Sequence, residues 1–179
     1  MGVLRIPGTT YEKAEKILNQ IAEDIVYDKV FQDAIAPAGY FRSLKYSQKY
    51  LDECIFLPYL NNQKTVNQTY RLRMIQLRWL VAVKYTRDDV IIPLESCHFG
   101  YFADATEKSF VKMEDTSGKF IILIFCNLCV DYKLDLIGLK TLNESKRIKF
   151  LIADGTHVTP PMSFMTDSIL PYLNPDMTD

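Results

Sequence analysis

The stretch TYRLRMIQLRWLVAVKY, residues 69–85, decides how the middle of the chain is read. Tyr70, Leu72 and Met74 alternate with Arg71 and Arg73. After one slip, Ile75, Leu77, Trp79, Val81, Val83 and Tyr85 alternate with Gln76, Arg78, Leu80, Ala82 and Lys84. Period two places alternate side chains on one face of a strand, and one extra residue inside such a pattern is what a β-bulge produces. Leu72, Ile75, Trp79 and Val83 also recur at helical spacing, so a helix competes. The preferred reading is a single long, bent strand.

Working outward toward the C-terminus, Thr86-Arg87-Asp88-Asp89 turns the chain, and Val90 to Leu94 reads as a short strand that Pro93 confines to an edge. His98 to Phe102 is a further candidate strand. Residues 109–125, SFVKMEDTSGKFIILIF, read as a β-hairpin. Glu114 to Gly118 supply its turn, because Asp and Ser bond their own backbone and Gly takes φ > 0 at little cost. Lys133 to Leu142 alternates imperfectly around Gly138 and reads as a glycine-bent strand. Ile148, Phe150 and Ile152 alternate in a last strand that Asp154-Gly155 closes. Five to six short strands separated by turns predict a small closed or partly open β-barrel.

Toward the N-terminus, Thr9 and Glu12 match a capping box. Ala14, Ile17, Leu18, Ile21 and Ile25 come next at helical spacing, and Pro37-Ala38-Gly39 ends the helix. Tyr40 to Leu51 allows a second, shorter helix. The expected fold class is therefore α+β: a helical segment over 1–65 packed on a barrel over 66–155, with a proline-containing wrapped extension over 156–179.

The strand pattern of residues 69–155 resembles an OB-fold. A long bent strand is followed by a hairpin with the turn Asp115-Thr116-Ser117-Gly118, a connection and two more strands. Within that class, Cys97-His98-Phe99 and the hairpin itself look like the protein-binding OB domains of telomere and telomerase accessory proteins. The resemblance implies binding without catalysis and transfers no contact residues.

The 21 basic and 22 acidic side chains leave a formal charge of −1. A whole-surface nucleic-acid field is thereby excluded, though a local patch is not. Arg71, Arg73 and Arg78 form the best basic cluster. With Tyr70 and Tyr85 they would contact phosphates and stack bases of a single strand; the competing reading is a solvated strand face. Met1 to Thr10 lacks an apolar signal core, and the longest apolar run, Phe120 to Cys126, is too short to span a bilayer. These features predict an intracellular protein, cytoplasmic or nuclear, with reduced thiols and no membrane span.

Chemistry-bearing patterns are few. Cys126-x-x-Cys129 with Cys97-His98 has zinc-ligand residue types, but Cys126 continues an apolar strand, and residues three apart on a strand face opposite ways. Buried cysteine as a small hydrophobe is the simpler reading. Neighbouring Cys97 and His98 diverge in extended chain and make a poor nucleophile–base pair. Asp154-Gly155-Thr156-His157 reads as a strand-ending turn. No phosphate-loop, dinucleotide, zinc-protease or nucleophile-elbow motif occurs. The sequence therefore predicts a non-enzymatic binding or adaptor module with no metal and no cofactor. It would make protein–protein contacts within a nucleic-acid assembly such as that of telomeres. The alternatives are a small effector, immunity or viral accessory protein with a non-OB α+β fold, or an enzyme with a noncontiguous site.

Overall fold

The structure is a computed structural model that describes residues 3–4, 21–43, 45–103, 109–113 and 131–173. Its strands are β1 (Val3–Leu4), β2 (Leu80–Tyr85), β3 (Ile91–Ile92), β4 (Tyr101–Phe102), β5 (Phe110–Val111) and β6 (Ile148–Ala153). The chain is helical over 21–25. The further helices are α1 (Lys29–Ala34), α2 (Ser47–Glu53), α3 (Leu57–Leu60), α4 (Gln68–Ile75), α5 (Leu139–Glu144), α6 (Met162–Phe164) and α7 (Leu170–Leu173). A π-helical turn, Met165–Ile169, joins the last two.

The central pairing is parallel. β2 lies against β6 in register from Leu80↔Ile148 to Tyr85↔Ala153. Both strands are rich in β-branched and aromatic residues, which suit a pleated, half-buried surface. A parallel neighbour cannot be reached by a hairpin and needs a crossover; here α5 leads directly into β6. Among the described residues, two short antiparallel ladders complete the strand pairing: β1 with β3, and β4 with β5.

The barrel expectation is overturned. Among the described residues there are three separate two-stranded ladders and no closed barrel. The long bent strand over 69–85 is instead a helix followed by a strand. Asn67 explains why: its side-chain oxygen accepts from the N–H groups of Thr69 and Tyr70, so the first turn of α4 is capped. Asn67 is in turn held by Asn62, whose amide donates to the carbonyls of Asn67 and Leu136 and whose oxygen accepts the Asn67 N–H. Cap chemistry outweighs the alternation, and no buried period-two face forms: Tyr70 and Leu72 are exposed while Met74 packs inward. Helical spacing was the competing pattern in this stretch, and over Gln68–Ile75 it prevails.

The glycine-bent strand over 133–142 is likewise replaced by turns and α5. Gly138 stands at φ +87°, and a Cβ there would lie 2.4 Å from Ile75 Cγ2, so its bare backbone lets α4 and α5 meet. Asp135 binds the opening of α5 through the N–H groups of Lys140 and Thr141 and the Thr141 hydroxyl. Its other partner is Arg71, at 2.6 Å. The last strand occurs at Ile148–Ala153 as expected; the short strand expected over Val90–Leu94 forms only at Ile91–Ile92, and the helix expected over Tyr40–Leu51 forms in part, at Ser47–Glu53. Most of the predicted hairpin, residues 114–125, lies outside the described residues; Phe110–Val111 pairs with Tyr101–Phe102.

Two clusters form the described core. One gathers Val26, Tyr27, Phe41, Tyr50, Cys54 and Leu57 around the N-terminal helices. The other gathers Met113, Leu142 and Ile148 between α5 and β6, with Met74, Leu80 and Leu139 packed on it.

The α4–α5 junction is open to direct test. Asn67→Ala should cost about 1 kcal/mol of unfolding free energy through the lost cap. Gly138→Ala should cost at least about 1–2 kcal/mol from the left-handed backbone alone, with the Ile75 collision added. Chemical denaturation measures both, and a neutral Gly138→Ala would show that no close approach of α4 and α5 constrains this position.

Candidate active site

Parallel strands place their carboxyl ends side by side, and the loops beyond those ends meet. Here the ladder continues past both strands: Thr86 N–H donates to the Ala153 carbonyl at 3.0 Å and Arg87 N–H to the Gly155 carbonyl at 3.0 Å. Side chains join the same two loops. Thr86 Oγ1 donates to Asp154 at 2.7 Å, and Arg87 pairs with the other oxygen of Asp154 at 3.3 Å. Gly155 permits a tight return, since a Cβ there would sit 2.6 Å from the Thr159 carbonyl oxygen.

This framework brings Asp88 and His157 together across 69 residues of sequence. His157 Nδ1 lies 2.9 Å from Asp88 Oδ2. The other carboxylate oxygen, Oδ1, accepts the N–H groups of Val90 at 2.8 Å and Ile91 at 3.0 Å, so the carboxylate is oriented by its own turn. The Asp88 side chain is 1% exposed and that of His157 is 38% exposed. Burial pushes the Asp88 carboxyl up, but the His157 ring and the two backbone N–H groups outweigh it and hold the group below its ordinary value. Asp88 is therefore a carboxylate, and Nδ1 donates to it. That fixes the tautomer and leaves Nε2 free to take a proton. Among the described residues, nothing bonds Nε2. A buried carboxylate behind a part-exposed imidazole is an arrangement able to orient a general base.

Sequence reasoning read both loops as turns and missed the pair. Each loop does turn the chain, which hides its chemistry. The available signal was long-range: two β-branched strands, each followed at once by a polar loop, one bearing a carboxylate and the other an imidazole, in the chain order Asp then His.

The residues singled out from the sequence lie elsewhere. Arg71 donates from Nε to the Asp135 carbonyl at 3.0 Å and from Nη2 to the Asp135 carboxylate. Tyr70 and Arg73 line one cavity together. Arg78 lies beyond the end of α4, and Tyr85 ends β2. The structure thus brings Tyr70 and Arg73 together and keeps Tyr85 at the opposite end of β2. His98 Nε2 donates to the Leu151 carbonyl at 3.0 Å. The Cys97 thiol is pushed up by burial and by the Asp88 charge, which disfavours the thiolate. Cys126 and Cys129 lie outside the described residues. Among the described residues, no group of three or more His, Cys, Asp or Glu is placed to hold a metal, and no helix is long and apolar enough to cross a membrane.

Comparison with known proteins matches residues 1–157 to the palmitoyl protein thioesterase family. The chain is 32% identical over 139 residues to palmitoyl-protein thioesterase 1 of Caenorhabditis elegans, covering 78% of this chain and 42% of that protein. It is 30% identical over 162 residues to palmitoyl-protein thioesterase 3 of Dictyostelium discoideum, covering 87% and 52%. It is 33% identical over 147 residues to lysosomal thioesterase PPT2-B of Xenopus laevis, covering 80% and 46%. The chain spans about half the length of these relatives. These matches overturn the resemblance to OB domains of telomere accessory proteins. The non-enzymatic adaptor and the effector, immunity or viral alternatives fall with it, because the relatives are named as enzymes. By sequence, and with a parallel strand pair carrying Asp and His in hydrolase order, the chain belongs to the palmitoyl protein thioesterase family.

Proposed function

We propose that this chain supplies the general base and its orienting acid for hydrolysis of long-chain acyl thioesters. The observation that carries the reading is the Asp88–His157 contact at 2.9 Å, with the second Asp88 oxygen tied down by two backbone N–H groups. The substrate class comes from the names of the relatives, in which a palmitoyl group is attached to protein.

In the proposed reaction, His157 Nε2 removes the proton of an attacking hydroxyl, whose oxygen bonds the thioester carbonyl carbon. Collapse breaks the carbon–sulfur bond, and the proton on Nε2 passes to the departing sulfur. Water then attacks the resulting ester by the same base, so that acyl thioester and water yield carboxylic acid and thiol. Asp88 stays ionised throughout and stabilises the imidazolium each time it forms. The match to a lysosomal thioesterase favours an acidic compartment as the place of work. The depressed Asp88 pKa suits that setting, because the carboxylate remains charged as pH falls.

Hydrolysis of an S-palmitoylated peptide, monitored by release of the free thiol, tests the reading. His157→Gln and Asp88→Asn should each lower kcat by about 10³–10⁴-fold with little change in KM. Wild-type rates in His157→Gln, measured where the attacking hydroxyl is present, would overturn it.

The same carboxylate sets an acid limit on stability. A depressed folded-state pKa means that the stabilisation is complete above the unfolded value of about 3.9 and is lost as pH falls through the folded value. Asp135 is also held low: burial raises it, but Thr141 and Arg71 more than compensate. Asp88→Asn should therefore flatten part of the decline in Tm below about pH 4 and leave the part due to Asp135. An acid limb unchanged by Asp88→Asn would detach Asp88 from this linkage.

A further inference from the structure

A cavity of about 400 Å³ is lined by one face of the β2–β6 pair. Ala82↔Phe150 and Lys84↔Ile152 are successive pairs on that face, and Lys84 and Phe150 contribute to the lining. The short 3-10 helix Leu94–His98 adds Glu95 and His98, and β5 adds Phe110 and Val111. The volume falls within the range of about 300–1,000 Å³ typical of small-molecule sites. Gly100 lets these walls meet: a Cβ there would lie 2.9 Å from the Val111 carbonyl oxygen and 3.1 Å from Glu95 Cβ. Neither Asp88 nor His157 lines the cavity, so its chemistry stands apart from the hydrolase reading.

Aromatic rings and a split ion pair give the cavity its character. Phe110 is 48% exposed and Phe150 39% exposed. Each ring is held by another: Phe110 lies 5.2 Å from Phe102, and Phe150 lies 5.1 Å from His98. His98 is itself fixed, with Nε2 donating to the Leu151 carbonyl at 3.0 Å. The two phenyl rings are thus positioned but not covered, and a planar ring laid on them would remove apolar surface from water. Lys84 Nζ stands 3.9 Å from Glu95 Oε1. That gap exceeds the hydrogen-bond length of about 2.7–3.2 Å for N–H···O. Among the described residues, neither head group has a hydrogen-bond partner.

An ammonium and a carboxylate held this far apart match a ligand edge that accepts from one and donates to the other. An open-chain amide is trans and points its C=O and N–H in opposite directions. A lactam is held cis by its ring, so both groups lie on one edge. It is also uncharged, so the Lys84 and Glu95 charges stay balanced when it binds. We propose that this cavity binds a planar heteroaromatic lactam. Its ring lies on Phe110 and Phe150, its carbonyl oxygen accepts from Lys84 Nζ, and its adjacent ring N–H donates to Glu95.

Valine methyl resonances provide the test. Val111 lines the cavity, while Val30 and Val158 are exposed and report non-specific association. The wild-type protein, labelled at its valine methyls, is titrated with three probes. Isoquinolin-1(2H)-one carries both the ring and the lactam edge; 2-methylisoquinolin-1-one lacks the N–H; 2-piperidone keeps the edge but lacks the aromatic ring. The expected result is a saturable shift at Val111 and none at Val30 or Val158. Isoquinolin-1(2H)-one should bind at least about tenfold tighter than either comparison compound, a gap of about 1.4 kcal/mol. Glu95→Ala keeps the Cβ and removes the acceptor, so it should bring the lactam and its N-methyl derivative to within about twofold of each other. Equal binding of either comparison compound to the wild-type protein would overturn the proposal, as would the absence of a saturable shift at Val111 or a full tenfold preference surviving in Glu95→Ala. If Glu95→Ala does not fold, the comparison of the three probes on the wild-type protein decides the matter by itself.

Discussion

The parallel pairing of β2 with β6 is the constraint on which the candidate site depends. Antiparallel neighbours would send the chain away from opposite ends of the sheet. Parallel neighbours release both chains at the same end. The loop with Asp88 and the loop with His157 therefore begin side by side, although 69 residues separate them. Two backbone hydrogen bonds beyond the strands and the contacts of Asp154 with Thr86 and Arg87 keep the loops in step. Within that frame only one side-chain bond is needed to form the acid–base pair.

The opposite end of the two strands is secured by polar chemistry between α4 and α5. Asp135 takes hydrogen bonds from Arg71, Thr141 and the first N–H groups of α5, and it does so buried. Arg147, just before β6, reaches back to the carbonyls of Ile75 and Leu77 at the end of α4. The two helices that lead into the paired strands are thus clamped before either strand begins. Asn62, fully buried and bonded to Asn67 and Leu136, ties the segment before α4 into the same junction. Each of these groups is satisfied by a partner far away in sequence, so the junction forms only when the whole region folds.

Residues 69–85 show how local pattern misleads. Alternation there satisfies the strand template over many positions, and the bulge hypothesis absorbs the one misfit. A helix cap, by contrast, rests on the single residue Asn67, which lies just outside the alternating stretch and makes no periodic signal. Gly138 was recognised as special but for the wrong element: its freedom serves a left-handed turn against Ile75 and not a bend in a strand. The final strand was legible because Ile148, Phe150 and Ile152 combine β-branching with a clean turn on each side. Asp88 and His157 were legible as turn residues, which they are; their meeting was not, because each finds its partner in the other's loop.

By itself, the sequence determined the last strand at Ile148–Ala153, the turn that follows it at Asp154-Gly155, and that no contiguous catalytic motif is present. It also carried the similarity that assigns the family, a match that spans residues 1–157. Only the tertiary structure decided that β2 and β6 run parallel, that Arg71 pairs with Asp135 across the α4–α5 junction, and that Asp88 meets His157. Those outcomes depend on contacts between residues distant along the chain, and local propensity is silent about them because hydrogen-bond partners and burial are properties of the assembled fold.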